Sequence, residues 1–184
     1  MEPWKRNVPF LLTMSRVLIL PVMIFLLLND GFAWQLSAAL VFAAASMTDY
    51  FDGYYARKWN LVSILGKFLD PVTDKILVSS VLIFLVYLQK VDPYSVILLL
   101  VRDTLIGGIR SVAATQKIVI DAKPTGKWKT ALQMGAIPII ILSPWSDDLS
   151  IFDKVGHGLL WFSVILSMTS GIEYYRGYVK SQKA

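Results

Sequence analysis

Residues 48–75 read TDYFDGYYARKWNLVSILGKFLDPVTDK. The stretch holds Asp49, Asp52, Asp70 and Asp74, and on both sides it runs into long apolar segments. At about 100° per residue, Asp49 and Asp52 fall on adjacent parts of one helix face, and Asp70 and Asp74 share another. Two antiparallel helices joined by a short loop can point all four carboxylates into one cleft. An aspartate at the centre of a membrane helix costs roughly 2.5–3.5 kcal/mol, less near the interface. Four mutually repelling acids at a membrane edge therefore call for compensation. Divalent cations supply it, because carboxylates from two helices hold a pair of ions about 3.5–4 Å apart, the spacing that grips both ends of a phosphoryl displacement.

For any single aspartate the plainer reading is a solvated loop acid, or a partner for Arg57, Lys58, Lys67 or Lys75. Two same-face pairs interleaved with small residues are poorly explained that way. Gly53 lies four after Asp49, Ala56 four after Asp52, and Gly66 four before Asp70. Each small residue occupies the stripe of an aspartate and leaves room for a ligand to approach the backbone. Close helix packing in a membrane bundle is the alternative for Gly53 and Ala56.

The rest of the chain sets this cleft in lipid. Of 184 residues, 55% are hydrophobic, against about 45–50% for a soluble domain, and the mean hydropathy is +0.57. The absence of cysteine excludes a disulfide framework, a zinc–thiolate site and a thiol nucleophile. His157 is the sole histidine, so any metal must be held by oxygen, which favours Mg²⁺ or Mn²⁺. The first apolar run follows MEPWKRN for about 20 residues without a small-residue cleavage pattern, as expected of a retained span. Six spans are expected near 9–29, 33–56, 69–89, 93–115, 128–146 and 155–175, each close to the ~20 residues that a bilayer core requires. Turn residues mark the breaks: NDG at 30–32, DP at 92–93, KPTGK at 123–127 and SPWSDD at 143–148.

Lysine and arginine set the orientation. The amino-terminal side receives Lys5, Arg6, Arg57, Lys58, Lys67, Lys75, Lys117, Lys123, Lys127, Lys129, Arg176, Lys180 and Lys183; the other receives only Lys90 and Lys154. Arg16, Arg102 and Arg110 fall within spans. The expectation is an all-α, polytopic integral membrane protein with six transmembrane helices, both termini cytoplasmic, forming one domain over 1–184. The net charge of +5 then reflects topology and attraction to anionic headgroups rather than nucleic acid. The tryptophans, with Tyr174, Tyr175 and Tyr178, mostly lie near span ends as an aromatic belt.

The order Asp49-x2-Asp52-Gly53-x2-Ala56-Arg57-x8-Gly66-x3-Asp70-x3-Asp74 resembles the signature of the CDP-alcohol phosphatidyltransferases at all its specified positions. That resemblance implies a six-helix membrane enzyme that displaces CMP from a CDP-linked substrate with a second alcohol. It implies two metal ions on Asp49, Asp52 and Asp70, with Asp74 as a helping ligand and general base beside Asp70. It implies CDP binding along Asp52, Gly53, Ala56, Arg57 and Gly66, and, as is common in the family, a homodimer. The chemistry suits the residue types: charge builds on the attacking and leaving oxygens, and a carboxylate can take the hydroxyl proton. Arg57 suits the CDP phosphates, with a positive-inside anchor as the alternative. Asn7 and Thr13 match the amino-terminal pattern and approach the nucleotide on this reading; helix capping is the simpler one.

A second constellation occupies the fourth span. Arg102 and Asp103 read first as a structural intramembrane ion pair. Arg110, two turns on, has no acidic neighbour in sequence, and with Lys127 and Lys129 it makes a cationic pocket for an acceptor that carries its own phosphate. The segments RDTLIGGIR, GKWKTALQM, NVPFLLTMSRVLILP and SGIEYYRGY are similar to those of the phosphatidylglycerophosphate synthase branch of the family. That likeness implies CDP-diacylglycerol as donor and glycerol-3-phosphate as acceptor, in a bacterial plasma membrane with the active site facing the cytoplasm. Asp103 stands where that branch is expected to have glutamate. Cardiolipin synthesis, with phosphatidylglycerol as acceptor, is the alternative within the family. A divalent-cation transporter is the alternative outside it, because intramembrane acids also mark ion paths.

Overall fold

The computed structural model describes residues 17–58, 64–116, 124–143 and 151–182, with 48–74, 114, 124, 125 and 127 as backbone only. Among the described residues there are six helices and no strand: α1 Val17–Leu28, α2 Phe32–Lys58, α3 Ile64–Tyr87, α4 Pro93–Thr115, α5 Pro124–Leu142 and α6 Ile151–Gln182. The all-helical expectation holds, and each expected span contains one helix.

Local chemistry explains the helix boundaries. Gly31, at φ 122°, accepts from the amides of Trp34 and Gln35 and opens α2. Gln89 takes the left-handed conformation at φ 57°, while the Lys90 amide donates to Leu85 O and the Gln89 amide to Val86 O. That pair of bonds is a Schellman cap closing α3. Asp92 then caps α4, accepting the Ser95 amide on Oδ1 at 3.0 Å, with Pro93 in the first turn. KPTGK differs from the expected break: Pro124 begins α5, where its missing N–H costs nothing, so the turn residues form the first helical turn. Lys90 reaches across from the α3–α4 turn and donates to Ile141 O at 3.0 Å and Ser143 O at 2.9 Å, tying off the end of α5. Burial pushes its ammonium pKa below the usual lysine range, against the pull of Asp153 and Asp30.

The core runs between helices. Met23 and Leu27 of α1, Phe42 of α2, Leu82 and Leu85 of α3, Leu99 of α4, Ile137 and Ile140 of α5 and Leu160 of α6 form one buried cluster. Helix α5 lies along α6, α2 packs against α5, and α4 against α6. The buried face of α6 is largely small: Gly156, Ser163, Ser167, Ser170 and Gly171 join Leu160 and Val164. Its exposed face carries Val155, Phe162, Ile165 and Ile172. Small residues inward and large apolar ones outward is the pattern of a helix between protein and lipid. Leu18, Phe25, Leu40 and Leu105 are also more than half exposed, an unusual surface for a soluble protein. Among the described residues, one helix, Ile151–Gln182, is long and apolar enough by itself to cross a membrane, and Val17–Leu28, Phe32–Met47, Lys75–Tyr87 and Trp128–Leu142 are shorter apolar stretches of helix.

A Cβ on Gly156 would sit 2.7 Å from Ile140 Cγ1 and 3.3 Å from its amide nitrogen, whereas Gly158 has open space. Gly156→Ala should therefore cost about 1–3 kcal/mol through overpacking. Gly158→Ala should be neutral or stabilising by up to about 1 kcal/mol. Thermal unfolding in detergent distinguishes them; equal melting temperatures would show that α5 and α6 are not in this register.

Candidate active site

The four aspartates fall near the two helix ends that residues 59–63 connect. Asp49 and Asp52 stand near the end of α2, which stops at Lys58. Asp70 and Asp74 stand near the start of α3, which opens at Ile64. The connection 59–63 allows a separation of at most about 3.3–3.6 Å per residue, so these ends stay close. Gly53, Ala56 and Arg57 lie on the same stretch of α2, and Gly66 on the first turn of α3. The side chains of these residues and of Lys127 lie outside the described residues, as do Asn7, Thr13 and Arg16 entirely. Among the described residues, no group of three or more acids or histidines gathers elsewhere as a metal site.

From Lys75 onward, the described side chains of α3 to α6 form a charged layer. Asp103 of α4 is ion-paired with Arg102 Nη1 at 2.9 Å, the structural pair expected from the sequence. The same Oδ1 accepts from Lys129 of α5. Lys129 is 4% exposed, so its ammonium is spent on Asp103 inside the bundle. Arg102 spreads over α6: Nε donates to Ser167 O at 2.8 Å and Nη2 to Ser170 Oγ at 2.7 Å. Gly171 makes this possible, because a Cβ there would meet Arg102 Nε at 3.1 Å. Lys75 of α3 donates to the main-chain oxygen of Asp103 at 2.8 Å and passes over Gly107, whose added Cβ would lie 2.9 Å from Nζ. Four helices thus meet at one level.

The sequence reading separated residues that the fold brings together. Lys75 and Lys129 count there among the cytoplasmic-side cations; in the structure both join the Asp103 layer. Arg110 holds its guanidinium 5.6 Å from the centroid of the Tyr174 ring. Tyr174 therefore does more than mark a membrane boundary. Gly107 and Gly171 lie against these contacts, each beside a long cationic side chain from another helix.

Helical, apolar on its outer faces and carrying paired acids beside a cationic layer, this is an architecture suited to phosphoryl transfer at a lipid surface. A family model of the CDP-alcohol phosphatidyltransferases matches residues 6–169. A Rickettsia typhi protein named CDP-diacylglycerol–glycerol-3-phosphate 3-phosphatidyltransferase is 40% identical over 172 residues, which is 93% of this chain and 96% of its own. A Bacillus subtilis protein of the same name is 36% identical over 182 residues, covering 92% of this chain and 93% of its own. An Arabidopsis thaliana relative, number 2 of that name, is 35% identical over 184 residues, covering 92% and 78%. The chain belongs to the CDP-alcohol phosphatidyltransferase family.

Removing one partner of a buried ion pair costs about 3–5 kcal/mol when it strands a charge. Asp103→Asn strands Lys129 and Arg102, whereas Lys129→Met leaves Asp103 still paired with Arg102. Thermal unfolding should show the larger loss for Asp103→Asn. Equal losses would mean that Asp103 is not the hub of the layer.

Proposed function

We propose that this chain transfers the phosphatidyl group of CDP-diacylglycerol to glycerol-3-phosphate and releases CMP. The observation that carries the reading is a carboxylate pair on each of two adjoining helix ends, beside a layer rich in cations, in a chain that shares most of its length with relatives of that activity. All six helices cross the bilayer on this reading, as one domain with both termini cytoplasmic. The cleft opens to the cytoplasm from a bacterial plasma membrane, and the protein works as a homodimer.

The donor set fits a hard divalent cation: four carboxylates, with oxygen as the only ligand type. Asp49, Asp52 and Asp70 would hold two Mg²⁺ or Mn²⁺ ions, with Asp74 as a helping ligand. Bound there, the ions neutralise the pyrophosphate and the departing CMP. Arg57 binds the CDP phosphates, Gly53, Ala56 and Gly66 leave room beside the acids, and Asn7 and Thr13 close the nucleotide end. Arg110 and Lys127 line the acceptor-phosphate pocket, and Lys129, the third cation of that set, stands behind them on Asp103. Asp74 takes the proton from the acceptor hydroxyl. The freed oxygen attacks the phosphorus that bears the diacylglycerol, and the bond to the CMP oxygen breaks.

Purified protein in detergent, given CDP-diacylglycerol, glycerol-3-phosphate and Mg²⁺, should release CMP and form phosphatidylglycerol phosphate. Asp70→Asn should lower the rate by about 10²-fold or more while leaving the melting temperature within a few degrees. Chelation by EDTA should stop the reaction, and Mn²⁺ or Mg²⁺ restore it. Turnover unaffected by the substitution or by chelation would refute the mechanism.

A further inference from the structure

Among the described side chains, the Asp103 layer holds more cations than that carboxylate pairs with. Arg102 and Lys129 share Asp103 and are largely buried. Lys75 and Arg110 are both exposed, and each faces a neutral partner: Lys75 a main-chain carbonyl, Arg110 the Tyr174 ring. Asp103, Gly107 and Arg110 follow one another at four and three residues, a single stripe along α4. Lys75 Nζ bonds to the first of these residues and passes over the second, on the same stripe that carries the third. The charges of Asp103, Arg110 and Arg102 all act on it. An ammonium carries three donors, and the Asp103 carbonyl takes one of them.

We infer that Lys75 is a further phosphate-binding cation for the acceptor, closing with Arg110 on the phosphate of glycerol-3-phosphate. The inference rests on the proposed function and adds a residue to it. Lys75 follows Asp74 directly in α3, so the residue that grips the acceptor phosphate is joined to the residue that takes the hydroxyl proton. One helix thereby sets the distance between the two ends of the acceptor. Gly107 keeps the channel for the lysine open, and the carbonyl bond pins the ammonium so that less side-chain freedom is lost on binding.

The test is steady-state kinetics of Lys75→Met, Lys75→Arg and Gly107→Ala with both substrates varied. Lys75→Met should raise KM for glycerol-3-phosphate at least about tenfold, the order of one charge-assisted hydrogen bond. KM for CDP-diacylglycerol should stay within about twofold, and Lys75→Arg should recover much of the loss. Gly107→Ala keeps the charge but displaces it, and should raise the same KM by a smaller factor. A lysine that merely ties α3 to α4 would lower the melting temperature without separating the two KM values, and that result overturns the inference. Retention of radiolabelled glycerol-3-phosphate, measured by equilibrium dialysis in detergent, decides the matter apart from turnover. Wild-type protein that retains the ligand but releases no CMP refutes the proposed function, and loss of retention in Lys75→Met still supports the inference. Equal retention by wild type and both Lys75 variants, or by neither, refutes it.

Discussion

One carboxylate organises the polar interior. Asp103 holds Arg102 and Lys129 on the same oxygen, and its main-chain carbonyl holds Lys75. Those three bonds join α3, α4 and α5, and Arg102 carries the connection to α6 through Ser167 and Ser170. A buried ion pair adds little net stability, because desolvation offsets the attraction. Its consequence is specificity of arrangement. In an apolar environment a register that parted Asp103 from Lys129 would leave a buried cation without its partner, at a cost of several kcal/mol. Gly107 and Gly171 suit the same arrangement, since a Cβ at Gly107 would displace the Lys75 ammonium and one at Gly171 would press on Arg102.

The outer faces obey a different rule. Helix α6 presents Phe162, Ile165 and Ile172 outward and Ser163, Ser167 and Gly171 inward. Where the surroundings are as apolar as leucine, burying large side chains gains little, and close backbone approach with interhelical hydrogen bonds takes over. That is why serines that would weaken a soluble core here line the contact with α4 and α5.

Much of this was legible in the sequence. Block hydropathy located all six helices, and i,i+3 and i,i+4 spacing paired the aspartates on α2 and α3. The eight-position signature lies inside the family match. KPTGK was misleading because proline reads as a breaker, although the first turn of a helix accepts it. Lys75 and Lys129 were harder. A charge count assigns each lysine to a side of the membrane and cannot see that Lys129 bonds the Asp103 carboxylate 26 positions away, or Lys75 the main-chain carbonyl of the same residue 28 positions away. Tyr174 belonged by composition to the interfacial belt; only the α4–α6 packing puts its ring against Arg110. Long-range pairing across helices was the missing information throughout.

The central claim is that a cationic layer, set by Asp103, selects an alcohol bearing its own phosphate for attack beside the four aspartates. Its most direct test compares CMP release with glycerol-3-phosphate, glycerol, inositol and phosphatidylglycerol at matched concentrations, with products identified by mass. The account predicts phosphatidylglycerol phosphate from glycerol-3-phosphate and little turnover with the other three. Glycerol used as readily as glycerol-3-phosphate would contradict it, because the layer of cations would then have no part in choosing the acceptor.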